Sequence, residues 1–323
     1  MKSIALLLPR DYRLFSVAAI LDVFSTVNSF YRRSRKEAFF DIRIITNSDT
    51  VRQYGGKLFG CPIRSYRSGY RADLVLIPGL HTEDLTKTIE ENVVLIPWLK
   101  RQFASGADMA SFCTGSFMFA AAGLLNGKLA TTHVDVCPKF ILDFPSVYVK
   151  PGRTVTVDGR CYTSGGSVSA FHLLILLVQK YCGNEMAIRI SKFFAIDLDR
   201  YQQSYFSTFR PDYSHNDELV RRVQKKLEAN FRDITTIEKV IHDFPASRRN
   251  IVRRFKQMTG VPPIQYLQHI RIERAKRDLE QTDHSISEII DQTGYTDPKS
   301  FRKVFRKLVG VTPLEYRRRF GMR

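Results

Sequence analysis

Two groups of residues in this chain have types and spacings that could do chemistry. The first centres on Cys113, which is followed by Thr114, Gly115 and Ser116 and preceded by the short apolar run of residues 108–112. A thiol on such a strand-to-helix turn has nucleophile-elbow geometry, and the helix start would stabilise a thiolate or hold a ligand carboxylate through unpaired backbone N–H groups. A working nucleophile also needs a base or an acid partner. No H-x-E follows the cysteine, Asp11 and Asp22 are the acids nearest the first strand, and His133 is the partner left over. Three readings of Cys113 therefore stay open: a nucleophile, the wall of a pocket that binds a small molecule without turning it over, or a structural thiol. The pocket reading is preferred, with Gly79, Cys113, Thr114 and His133 as its ligand-binding residues. Taken alone, His133 reads as a helix-start or core histidine. The five cysteines are widely spaced and form no CxxC pair, so no disulfide framework, metal site or cofactor is expected.

The second group is a row of cations, Lys299, Arg302, Lys303 and Arg306, at i, i+3, i+4 and i+7, opposite an apolar stripe of Phe301, Val304, Phe305 and Leu308. Asp297 is placed to cap that helix and Pro298 to occupy its first turn. A shorter helix carrying Ile286, Ile289 and Ile290 precedes it, started by a Ser285/Glu288 capping box and stopped by Gly294. This is the layout of a helix-turn-helix over residues 285–309, whose second helix would enter the major groove with its early residues at the base edges. A similar pair spans about 235–258, where Arg249, Val252 and Arg253 project opposite Ile251, Phe255 and Met258. The helix predicted over 262–280 joins the two pairs and would hold their second helices about one DNA turn apart.

These residues must be positioned by two domains. Apolar runs at 4–9 and 73–78, an alternating run at 39–46, and helical spacing at 14–24 and 91–104 predict an open, mostly parallel α/β sheet with helices on both faces. A hairpin at 154–163 and helices at 167–181 and 184–194 complete a first domain of residues 1–196. Residues 197–215 have no sustained apolar period and read as a linker. Residues 216–323 form an all-α domain. The formal charge is +18, of which +10 falls in residues 216–323. That balance, with no window of membrane-spanning length and no signal-peptide cleavage site, points to nucleic acid rather than a membrane and to the cytoplasm.

Residues 272–320 and the upstream segment SRRNIVRRFKQMTGVPPIQYL resemble the AraC/XylS family of bacterial transcription regulators. One departure is that the first turn has Asp243, Phe244, Pro245 and Ala246 where the family usually has a glycine. The DVF at 22–24, LVLIPG at 74–79 and SFCTGSFMFAAAGLLNGKLATTH at 111–133 resemble the DJ-1/PfpI, amidotransferase-like domains fused to such regions in one branch of that family. The resemblance implies a flavodoxin-like, DJ-1-type parallel-sheet domain ahead of two helix-turn-helix motifs, with Arg249, Val252 and Arg253 of the first and Lys299, Arg302 and Lys303 of the second at the family's base-facing positions. It implies a homodimeric regulator of promoter DNA, an activator, responding to a small-molecule effector, with RNA polymerase as a further partner. DJ-1-like hydrolases carry an acid after the first strand, where this chain has Tyr12, Arg13 and Leu14, so no catalytic residue and no enzyme are expected. The competing reading is a DJ-1/PfpI-type hydrolase or hydratase with a DNA-localising tail.

Overall fold

The computed structural model describes residues 1–34, 37–46, 49, 53, 57–166, 168–196, 209, 211–213 and 215–321. The chain divides into two compact units, residues 1–203 and 204–323. The linker expected at 197–215 falls largely outside the described residues.

In the first unit the strands are β1 (Lys2–Leu7), β2 (Phe40–Thr46), β3 (Lys57–Leu58), β4 (Cys61–Ser65), β5 (Leu74–Ile77), β6 (Asp108–Ser111), β7 (Leu129–Ala130), β8 (Tyr148–Val149), β9 (Val155–Asp158) and β10 (Cys161–Ser164). Eight of them form one sheet in the order β3-β4-β2-β1-β5-β6-β10-β9, and β7 pairs with β8 separately. The central pairings are parallel; among the described residues of this sheet, only β3–β4 and the β9–β10 hairpin pair antiparallel. Apolar runs suit this sheet because both faces are covered. Ile4 and Leu6 of β1 pack on one side with α1 (Leu14–Arg33) and α6 (Ser169–Cys182), while Ala5 and Leu7 pack on the other with Trp98, Phe117 and Phe119.

The remaining helices of this unit are α2 (Leu85–Glu91), α3 (Ile96–Ala104), α4 (Ser116–Ala121), α5 (Cys137–Asp143) and α7 (Asn184–Phe193). Two expectations need correction. The single helix predicted over 91–104 is broken at Asn92, whose buried side chain accepts from Arg10 N–H (2.7 Å) and donates to the Thr88 carbonyl (2.8 Å), tying the loop after β1 to the end of α2. Pro97 then sits in the first turn of α3, where its missing N–H is tolerated. Helix α1, at 20 residues, is in fact long and apolar enough to cross a membrane by length and composition. Its apolar character has a local cause: Val17, Ile20, Val23, Phe24 and Val27 are fully buried in the core beneath the sheet.

The second unit is helical: α8 (Glu218–Ala229), α9 (Ile237–Ile241), α10 (Arg248–Thr259), α11 (Pro263–Gln281), α12 (Ile286–Gln292), α13 (Pro298–Val309) and α14 (Pro313–Phe320). It has two cores. Val220, Val223, Ile241, Ile251 and Phe255 form the first, Ile290, Phe301, Phe305 and Tyr316 the second. Helix α11 serves both, with Tyr266 and Leu267 in the first and Ile272, Ala275 and Leu279 in the second. The Pro245 turn is made without any positive φ between Asp243 and Ala246, whereas Gly294 at the second turn has φ +76°.

Candidate functional site

The strand order reverses at β1, since the chain runs outward to β2 on one side and returns to β5 on the other. Loops diverge at such a reversal, and a cleft opens outside the carboxyl ends of the strands. Arg13 follows β1, Gly79 follows β5 and Cys113 follows β6, so three adjacent strands deliver them to one place. Arg13 N–H donates to the Gly79 carbonyl (2.6 Å), and Leu80 N–H donates to the Thr114 hydroxyl (2.7 Å). Cys113 has φ +54°, an unusual conformation for a residue with a side chain. Gly115 is required there, because a Cβ would come within 2.5 Å of the Pro78 carbonyl oxygen. The elbow expected from the sequence is therefore present, but it leads into a short 3-10 turn (Cys113–Gly115) and the six-residue α4 rather than a long helix.

Behind the elbow lies a cavity of about 310 Å³. Cys113, Thr114 and His133 line it as expected. Gly79 does not; it stands behind the cysteine, where a Cβ would meet Cys113 Cβ at 3.2 Å. Burial pushes the Cys113 thiol up from its ordinary value, against smaller opposing effects from Thr114 and Arg13. Among the described residues no acid or histidine hydrogen-bonds this thiol. His133 caps a 3-10 turn, accepting from Asp135 N–H through Nδ1 (3.3 Å), and burial lowers its pKa despite Asp135 nearby. The sequence reading missed Arg13, Glu83, Asp135 and Lys139, which also line the cavity. Arg13 and Glu83 follow β1 and β5, whose carboxyl ends converge, whereas Asp135 and Lys139 lie beyond β7, outside that sheet. An H-x-E does occur upstream of the cysteine, at His81-Thr82-Glu83; Thr82 and Glu83 reach the cavity rim, whereas exposed His81 is not among its walls.

The cation row behaves as its spacing predicts. Phe301 and Phe305 of α13 are fully buried, with Val304 and Leu308 packed against the same core, and Lys299, Arg302, Lys303 and Arg306 are exposed. Asp297 caps the helix by accepting from the N–H groups of Lys299 and Ser300 (3.0 Å each). The Ser285/Glu288 capping box of α12 is complete. Arg302, Lys303, Arg306 and Lys307 rim a groove of about 780 Å³ whose apolar wall is Ile286, Pro313 and Leu314. In α10 Arg249 and Arg253 are exposed, but Val252 is partly packed against the first core, so its projection away from that core is only partial. The two motifs are also repeats of one another. Ser247 matches Asp297, Phe255 matches Phe305, and Gly260 and Gly310 both end their helices in the left-handed region, at φ +78° and +87°. Each is followed by a buried tyrosine, Tyr266 or Tyr316.

Comparison with known proteins agrees with both halves. A helix-turn-helix domain family matches residues 242–319 and the DJ-1/PfpI family matches residues 27–180. The regulator ArgR of Pseudomonas aeruginosa is 30% identical over 68% of this chain and 67% of its own length. The chain belongs to the AraC-type helix-turn-helix regulators that carry a DJ-1/PfpI domain. The regulator GlxA of Rhizobium meliloti is 25% identical and spans 98% of this chain and 96% of its own length. The chain spans 60% of the length of other curated relatives that it matches. A crystal structure described as a transcriptional regulator protein from Vibrio parahaemolyticus, 21% identical, covers 59% of this chain and 98% of its own with a TM-score of 0.50, a likeness of fold alone. Within the family frame, the matched DJ-1/PfpI segment holds Gly79, Cys113, Thr114 and His133, and the matched helix-turn-helix segment holds both α10 and α13. Arg13 lies ahead of the matched segment.

Proposed function

We propose that this chain is a cytoplasmic, homodimeric transcription activator that binds promoter DNA through its second unit and senses a small molecule in its first. The observation that carries the reading is the exposed row of Lys299, Arg302, Lys303 and Arg306 on a capped helix whose opposite face buries Phe301, Phe305 and Val309. A row of one sign on a rigid helix suits a major groove and its flanking phosphates. In this reading Lys299, Arg302 and Lys303 of α13 and Arg249 and Arg253 of α10, with the half-turned Val252, face the bases. The open cavity at Cys113 takes the effector, with Cys113, Thr114 and His133 in its walls and Gly79 behind them. The absence of a hydrogen-bonded acid or base at the thiol, among the described residues, favours binding without turnover over the hydrolase reading. RNA polymerase is the further partner an activator needs.

Selection of bound genomic fragments by the full-length protein, followed by footprinting, tests this. Two successive major-groove contacts per protomer, separated by about one helical turn, are expected. Binding no stronger to any selected fragment than to random competitor DNA would overturn it.

A further inference from the structure

The cavity at Cys113 contains a cation that has no side-chain partner among the described residues. Arg13 caps no backbone group with its side chain at the start of α1, and its Nε is wholly buried without a hydrogen-bond acceptor. One turn further along the same face, Ser16 is fully buried and its hydroxyl also lacks a partner. Ser16 Oγ and Cys113 Cβ both approach the same point beside Gly79, at 3.3 and 3.2 Å from where a Cβ would be. Two buried donors with no acceptor are costly for a fold to keep unless something accepts from them. The other charged walls are placed differently. Glu83, Asp84 and Asp135 are exposed, Asp84 is occupied as the cap of α2, and Lys139 pairs with Asp143 at 3.0 Å.

We infer that Arg13 is the charge anchor of the effector site and that the effector carries a single carboxylate, which enters towards Arg13. This rests on the cavity being an effector pocket. A guanidinium presents paired donors in the geometry of a carboxylate, and partial burial strengthens that attraction. The exposed carboxylates of Glu83, Asp84 and Asp135 disfavour a second negative charge at the outer end. Arg13 also gives the pocket a polarity that a catalytic acid would reverse.

Alkylation of Cys113 in the full-length protein tests this without knowledge of the effector. Iodoacetate and iodoacetamide differ in charge but little in size. Their rates at Cys113, resolved by peptide mass spectrometry, are compared in the wild type, Arg13→Gln and Arg13→Lys. The expected result is an iodoacetate-to-iodoacetamide rate ratio about fivefold or more higher in the wild type than in Arg13→Gln, with Arg13→Lys restoring much of the difference. Acetate should slow labelling of the wild type, and acetamide should not. Equal ratios in all three proteins would overturn the anchor while leaving the pocket intact. Failure of either reagent to label Cys113 in the folded protein even at alkaline pH, where a raised thiol ionises, with normal labelling after denaturation, would overturn the pocket itself.

Discussion

Gly294, at the turn of the second helix-turn-helix, packs against the main-chain carbonyl of Arg232, which belongs to the loop between α8 and α9 beside the first motif. A Cβ at position 294 would overlap that carbonyl, and φ +76° disfavours any side chain there. The glycine thus makes the turn and also lets two helical lobes of the second unit touch. Gly294→Ala should therefore lower stability by about 1–3 kcal/mol, from left-handed strain together with displacement of the 231–234 loop. Urea unfolding of the full-length protein, followed by hydrogen exchange in α12 and α13, measures it. Unchanged protection there would refute the close-approach account.

Arg271 of α11 reinforces the same contact. Its guanidinium donates to the Phe231 carbonyl through Nε (2.9 Å) and to the Ile234 carbonyl through Nη2 (2.8 Å), and lies 5.2 Å from the Tyr295 ring centroid. Arg271→Ala leaves two carbonyls without their donor, a loss of about 1–3 kcal/mol. It should also weaken simultaneous occupancy of both half-contacts on DNA more than binding to either alone. Footprints in which both halves weaken equally would argue for a purely local role.

His269, also on α11, gives a pH dependence. Burial, with Lys307 and Lys276 nearby, lowers its pKa to about 4, and it stacks on Phe209 at 4.9 Å. The unfolded chain, with an ordinary histidine pKa near 6.5, then binds more protons than the folded one between those two values. Stability should rise with pH across the window from about 4 to about 6.5, with a slope up to about 1.4 kcal/mol per pH unit from this one group. His269→Phe removes that slope while keeping a ring to stack on Phe209. Hydrogen exchange of α11 at pH 4.5, 5.5 and 6.5 provides the comparison, and an unchanged slope in the variant would contradict the assignment.

Most of the architecture was legible because it rests on local patterns. The continuous apolar runs of β1 and β5 and the 3.6-residue period of α13 are set by which faces are buried, and those faces are written in the order of residues. The break at Asn92 was not legible, since its cause is a hydrogen bond to Arg10 across the fold. The candidate site was read only in part for the same reason. Cys113 announces itself through its small neighbours, but Arg13 acquires meaning only when the reversal of strand order sets the end of β1 beside the ends of β5 and β6. Val252 was placed outward by its spacing, and its partial burial reflects packing that a helical wheel does not contain.

Arg302 and Lys303 offer the most direct test of the DNA interface, because both are exposed and their substitution leaves the Phe301 and Phe305 core untouched. Arg302→Ala should reduce specific binding by about 1–3 kcal/mol and relax preference at one base position if the guanidinium reads a base. A uniform loss across all sequences, with a shallower salt dependence, would place it on phosphate instead. Normal affinity in both Arg302→Ala and Lys303→Ala, measured by fluorescence anisotropy over a range of salt, would remove α13 from the interface.

Cys113→Ser and Cys113→Trp separate a pocket wall from a nucleophile. Burial raises the thiol pKa, so at neutral pH the group is held as the protonated, weakly nucleophilic form. Serine keeps the size and polarity of the wall, and effector-dependent transcription should survive in Cys113→Ser. Tryptophan would fill much of the cavity of about 310 Å³ and should abolish the response. Basal DNA binding should persist in both variants, since the second unit has its own two cores. Reporter transcription and effector binding are measured together for each protein. A serine variant that binds the effector with normal affinity yet has lost all response would reject the wall in favour of chemistry at sulfur, because only a covalent step distinguishes the two side chains at equal occupancy.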